Sequence, residues 1–182
     1  MFHHHAPQLR FWVTLLWVVL MHLASCGLLL ADGLPQPSGP VILTVTGNIQ
    51  HTNAQDDSGE GKAEFDREML EALGTTELEV ETLWTMGRPV FEGVKAIDVM
   101  NTVGVSGTIV KAIALNDYQF EIPLSDFQDY PVVLALKMDG EYMRVRDKGP
   151  IWIIYPHEQF PELDINTSRQ KWVWQLQQLH VE

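Results

Sequence analysis

Cysteine is almost missing from this chain: there is one, Cys26, inside an apolar stretch near the N-terminus. A lone thiol excludes an internal disulfide framework, so the fold must rest on its hydrophobic core. Positive charge is scarce too, with 12 Lys and Arg against 24 Asp and Glu and a net charge of −12. Such a surface repels polyanions, which argues against nucleic acid and anionic lipid as partners of the folded part. It favours solubility and a basic docking surface on a partner protein. There is no H-E-x-x-H, no Walker loop and no Gly-x-Ser-x-Gly, and His51, His157 and His180 are too scattered to suggest a zinc site. Internal repeats and low-complexity tracts are absent as well.

What is present begins with an apolar run over residues 11–31, interrupted by Thr14, His22, Ser25, Cys26 and Gly27 and preceded by Arg10. A basic start followed by an apolar core reads as an export signal over residues 1–26. Leu23-Ala24-Ser25-Cys26 also fits a bacterial lipobox, which would make Cys26 an acylated anchor. The run is long enough to span a bilayer uncleaved, and Leu28-Leu29-Leu30 is not the polar tether of a typical lipoprotein. Both alternatives stay open. His3-His4-His5 precedes the expected cut and carries no functional weight. Residues 27–40, with Pro35, Pro37 and Pro40, read as a linker. Residues 41–182 form one domain, of a size that supports a single core.

Within that domain residues 41–47 read as a first strand, and 50–62 as a mobile acidic hairpin loop without the ligand spacing of an EF-hand. Asp66 caps a short helix that Gly74 ends. Residues 75–84 alternate, with Leu78, Val80 and Thr82 on one face and Glu77, Glu79 and Glu81 on the other. A second helix spans 94–103, strands 107–115 and 118–123 flank an Asn116-Asp117 turn, and Ser125 caps a third helix. Strands follow over 131–138, 151–155 and 172–181, with irregular chain over 156–166. Strands dominate and helices are short and interspersed, which predicts an α+β domain.

The richest stretch is 138–150. Asp139-Gly140 predicts a tight hairpin, because both residues accept positive φ. The loop after it places Arg144, Arg146 and Lys148 within five residues, in a chain short of cations. It is read either as an anion or polar-heterocycle contact or as a salt-bridged surface loop.

Residues 131–140 followed by Arg146-Asp147-Lys148-Gly149-Pro150 resemble the sulfite-oxidase-type molybdopterin-binding domain. In that family a similar Met-Asn/Asp-Gly turn precedes a loop that touches the pterin, and a Lys-Trp segment closes the chain. Lys148 stands where the family's loop His would be, and Arg169-Gln170-Lys171-Trp172-Val173-Trp174 stands near the closing segment. The resemblance covers residues 41–181 and implies a mixed-sheet α+β fold with short helices. It departs at the metal. The family's molybdenum-ligating Cys would fall within 79–83, where Glu79, Val80, Glu81, Thr82 and Leu83 stand; Trp152 occupies a region where the family often has Arg. A carboxylate or hydroxyl is a poor replacement for a soft thiolate.

The resemblance therefore implies a pterin-binding domain without metal and without catalytic residues. The pocket it implies is drawn from three loops: Asn116, Asp117 and Tyr118; Arg146, Asp147, Lys148 and Gly149; and Arg169, Lys171, Trp172 and Trp174. Trp84 is a further stacking wall. Each has a plainer alternative: a good turn, an Arg–Asp pair, or a core tryptophan. Small periplasmic relatives of this fold bind reduced pterins and regulate a membrane partner, so the implied partner is a membrane-bound signalling protein with a periplasmic domain, a cyclic-di-GMP enzyme or a sensor kinase. The alternative is a molybdopterin-dependent oxidoreductase or a subunit of one.

Overall fold

The computed structural model describes residues 33–182. The export signal, the lipobox and Cys26 lie outside them. Two β-sheets enclose one core, with short helices at their edges. The larger sheet runs in the order β2 (Ala54–Gln55), β3 (Gly61–Phe65), β1 (Leu43–Gly47), β11 (Leu176–Val181), β6 (Ile109–Ala114), β7 (Gln119–Pro123). The first and last strands of the domain pair in parallel at its centre, Thr44 beside Gln178 and Gly47 beside Val181. All other pairings are antiparallel. The smaller sheet has the order β10 (Trp152–Ile154), β8 (Val133–Met138), β5 (Val90–Lys95), β4 (Thr76–Glu79), and β9 (Glu141–Tyr142) adds to β8. The helices are α1 (Arg67–Ala72), α2 (Ala96–Val103), α3 (Leu124–Asp129) and α4 (Ile165–Ser168). This is the α+β, mixed-sheet architecture expected.

Period-two alternation sets the core. Leu43 and Val45, Ala63 and Phe65, Val110, Ala112 and Ala114, and Leu176, Leu179 and Val181 are all buried on one face of the larger sheet. β8 buries Val133, Leu134, Ala135 and Leu136 consecutively, as a central strand covered on both faces does. β5 passes close beside it at Gly93, where the register shifts; a side chain there would collide with the Leu134 carbonyl.

Several boundaries depart from expectation. Leu78, Val80 and Thr82 do share a buried face, but the strand ends at Glu79. The second helix starts at Ala96, because Val94 and Lys95 are hydrogen-bonded into β5 beside β8. Ser125 caps nothing: the third helix opens at Leu124 after Pro123. The acidic segment 50–62 is partly ordered as the β2–β3 hairpin. Residues 33–40 form no helix or strand but are fastened down: Ser38 and Gly39 donate backbone N–H groups to the Asp66 carboxylate at 2.7 and 2.8 Å, and Asn53 holds the Pro35 carbonyl at 2.7 Å. The final strand starts at Leu176, four residues later than expected, for a reason that also builds the site.

Candidate functional site

Between the 3-10 turn Arg169–Lys171 and β11, the backbone is claimed by the smaller sheet. Ile153 donates to the Val173 carbonyl at 3.0 Å, Leu176 donates to the Ile151 carbonyl at 3.0 Å, and Trp152 and Trp174 form a β-bridge. Gln175 then turns through φ 51° before β11 joins the larger sheet. This extended clip, two residues per repeat, brings Trp172 and Trp174 to the same cavity.

The other wall comes from the turn after β4. Thr82 Oγ1 bonds Thr85 Oγ1 at 2.8 Å and accepts from the Trp84 N–H at 3.1 Å, which fixes Trp84 over the clip. The Trp84 ring centroid lies 6.0 Å from those of Trp152 and Trp172 and 5.5 Å from that of Trp174. The turn is anchored from outside by Glu158, which takes the Glu81 N–H at 3.0 Å and pairs with Arg88 at 2.7 Å. Arg88 also pairs with Glu79 at 3.2 Å. His157 bonds the Glu81 carbonyl at 3.0 Å and packs its ring against Trp172.

A cavity of about 260 Å³ opens among these groups, lined by Trp84, Trp172 and Trp174 with Asn116, Tyr118 and Arg169, and completed by Ala114, Gln170 and Val173. The β6–β7 hairpin delivers Asn116 and Tyr118. Asn116 Oδ1 accepts the Tyr118 N–H at 3.2 Å, and the Tyr118 hydroxyl donates to the Gln170 carbonyl at 3.1 Å, which ties the hairpin to the 3-10 turn. Burial pushes the Tyr118 phenol above its usual value. Arg169 makes none of the ion pairs found among the described residues.

Six of the twelve nominated positions thus meet at one cavity; six do not line it. Asp117 is exposed at the hairpin apex, with φ 64°. Asp147 takes Arg144 at 2.6 Å and lies 3.8 Å from Arg146, an ion-paired loop. Lys148 turns through φ 78°, gives its carbonyl to Gln175 N–H at 2.9 Å, and holds its ammonium 5.3 Å from the Trp152 ring, next to the cluster but outside the cavity wall. Gly149 is buried where a side chain would strike the Met143 carbonyl. Lys171 is occupied elsewhere, 2.7 Å from Asp126, which also accepts the Tyr155 hydroxyl at 2.9 Å. Burial and the adjacent carboxylate raise the Tyr155 phenol well above its usual value. Sequence reasoning missed Ala114, Gln170 and Val173, which carry no chemical signature. Gln170 was discernible only as the residue between two nominated cations.

The cavity suits a flat heterocycle. Its volume is just below the roughly 300–1,000 Å³ of drug-sized ligand sites. Ring-on-ring stacking on both sides of a ligand needs about 7 Å between walls, given contacts near 3.5 Å. The observed 5.5–6.0 Å separations between Trp84 and its neighbours are smaller, so a ligand lies against these rings and enters between them only if Trp84 moves. Trp172 borders the cavity, and its Nε1 is buried with no hydrogen-bond partner among the described residues. Asn116, Tyr118 and Arg169 add polar groups at the mouth. These features fit a pterin ring. They do not fit a protein-ligated molybdenum: the segment 79–83 supplies no thiolate, and Thr82 is buried with its hydroxyl already bonded.

Comparison with known proteins agrees on fold and family. The sulfane dehydrogenase SoxCD from Paracoccus pantotrophus is a solved structure similar to this chain, with a TM-score of 0.52 and 16% identity over 76% of this chain. The match spans 37% of that protein's chain, and at this identity it shows a shared fold. No curated protein matches in sequence. Residues 59–180 match the oxidoreductase molybdopterin binding domain, a span that takes in β3 to all but the last residue of β11 and every residue lining the cavity. The chain belongs to the oxidoreductase molybdopterin-binding domain family.

Proposed function

We propose that this domain binds a pterin in the Trp84–Trp172–Trp174 cavity and acts as a ligand sensor, not as an oxidoreductase. The observation that carries this reading is the cavity itself: three indole walls with an amide, a phenol and a guanidinium at its mouth, with no thiolate beside it and no ion pair to Arg169 among the described residues. Indole faces hold the heterocycle by stacking and dispersion. Asn116 offers a matched donor and acceptor for an amidine-like edge, and Arg169 favours an anionic or oxo substituent. When bound, a complete molybdenum cofactor would supply two-electron oxygen-atom chemistry. The cavity's own residues hold the pterin ring, and none of the described residues offers that metal a thiolate.

Sensing requires two states that the ligand distinguishes, since equal affinity for both transmits nothing. The Trp84 turn is the element to couple. It packs against the ligand wall on one side and is bonded through Glu158 and His157 to the irregular segment 156–164 on the other. The proposed partner is a membrane-bound signalling protein, a cyclic-di-GMP enzyme or sensor kinase, met outside the inner membrane after export through the N-terminal signal. The acidic surface suits a basic face on that partner.

Native mass spectrometry of the protein recovered from a molybdenum-replete periplasm tests the reading. The expected result is a pterin-sized mass increment without molybdenum. Stoichiometric molybdenum would replace the sensor with a redox enzyme.

A further inference from the structure

Trp172 Nε1 is the one buried side-chain nitrogen or oxygen without a hydrogen-bond partner among the described residues. Trp172 is 1% exposed and borders the cavity. Its neighbour Trp152, equally buried, donates Nε1–H to the Trp172 carbonyl at 3.1 Å. Two indoles in one cluster are therefore treated differently, one satisfied internally and one left over. Buried polar groups in native proteins are nearly always paired, so a donor without a partner points to a group the protein does not itself supply.

The surroundings offer no substitute. The Tyr155 ring is 6.0 Å from Trp172, but its hydroxyl is committed to Asp126. The His157 ring is 5.6 Å away and its Nε2 is committed to the Glu81 carbonyl; Nδ1 makes no bond to the indole. Of the aromatic rings around Trp172, Tyr155 is fully buried, while Trp84 is half-buried on an exposed turn. Nε1 is closed off, so a ring entering the cavity reaches it only by displacing a neighbour, and Trp84 is the most accessible indole packed against Trp172.

We infer that Trp172 is the specificity-determining donor of the cavity, and that its ligand is a heteroaromatic lactam whose carbonyl oxygen or unprotonated ring nitrogen accepts from Trp172 Nε1–H. This rests on the pterin reading and narrows it. Indole is a donor only, so a ring presenting N–H at that position meets it donor to donor and is rejected. Sites that hydrogen-bond a ligand group discriminate strongly against analogues lacking it, because the buried protein group is then left unpaired.

The test is an indole N–H NMR titration of the 15N-labelled protein with three probes: pterin (2-amino-4-oxopteridine), lumazine and hypoxanthine. The spectrum of Trp172→Phe assigns the Trp172 signal. On binding, that signal is expected to move downfield and become slow to exchange, while the signal of Trp152, already bonded, stays in place. Trp172→Phe is expected to weaken binding about tenfold or more, the range of one lost buried hydrogen bond. If that variant fails to fold, the Trp172 signal is assigned through backbone-to-side-chain NMR connectivities of the wild-type protein, and the wild-type titration decides. Binding of any probe with a stationary Trp172 signal overturns the donor assignment. Binding of hypoxanthine but not pterin, with the Trp172 signal moving, supports the donor and overturns the pterin reading. No binding by any of the three overturns both.

Discussion

Arg169 and Lys171 stand two positions apart and do opposite work. Lys171 neutralises Asp126, a carboxylate only 8% exposed, within a network that includes the Tyr155 hydroxyl. Removing the cation leaves a buried charge held by one phenol, so Lys171→Ala is expected to destabilise the domain by about 2–3 kcal/mol, less than a fully buried pair because the Lys side chain is partly solvated. Arg169→Ala removes an exposed side chain and should change stability by no more than about 0.5 kcal/mol, yet weaken pterin about tenfold. Urea unfolding and fluorescence titration of both variants separate the roles; the reverse pattern would place Lys171 at the ligand. Arg146, already beside Asp147 and off the cavity wall, is expected to matter less than Arg169. The sequence could nominate these cations by type alone. Which one is free depends on Asp126, 45 residues from Lys171, and no local pattern records that pairing.

Helix α1 and the segment before β1 share one fastener. The Asp66 carboxylate caps the helix by accepting from Met69 N–H at 2.9 Å and also holds the Ser38 and Gly39 N–H groups. These bonds, led by that from Met69, lower its pKa below the usual carboxylate value of 3.8. A depressed folded pKa means that the stabilisation is complete above the unfolded value, near pH 4, and is lost as pH falls through the lower folded one. Asp66→Ala should cost at least the 1–2 kcal/mol or so of a lost cap, measured at neutral pH, and should flatten the acid limb of stability below pH 4. An unchanged acid limb would show that other carboxylates govern it. Elements with local determinants were legible: the Asp66 cap, the Gly74 stop, and the Asp139-Gly140 turn, whose φ values of 51° and 80° are the expected primed pair. The start of the last strand was not. Trp172 to Gln175 look like strand in composition, but Ile153 and Trp152 of β10 claim Val173 and Trp174, and the Lys148 carbonyl takes the Gln175 N–H. The three indoles at the site were nominated as stacking walls; that they converge depends on this clip, which only tertiary structure reveals.

At the scale of the whole molecule, the missing thiol can be put back. Thr82→Cys or Glu81→Cys is expected to leave the protein without molybdenum and without sulfite or sulfoxide turnover, by metal analysis and assay. Thr82→Cys also weakens the acceptor that sets Trp84, because sulfur accepts poorly from N–H. Loading and turnover in either variant would mark the domain as a recently silenced enzyme. Cys26→Ser should abolish lipid attachment if Cys26 is the anchor; unchanged processing and membrane partition would leave a plain signal or a membrane helix. The parallel pairing of β1 with β11 sets a timetable for all of this. Thr46 meets His180 across 134 residues, in the middle of the larger sheet. Until residues 176–181 are available, β2-β3-β1 and β6-β7 are two separate pieces, each with a bare inner edge. Loop closure over that separation makes assembly late and slow, so a nascent chain stays pliable almost to its last strand. The same dependence makes any chain that stops short of β11 a pair of sticky half-sheets.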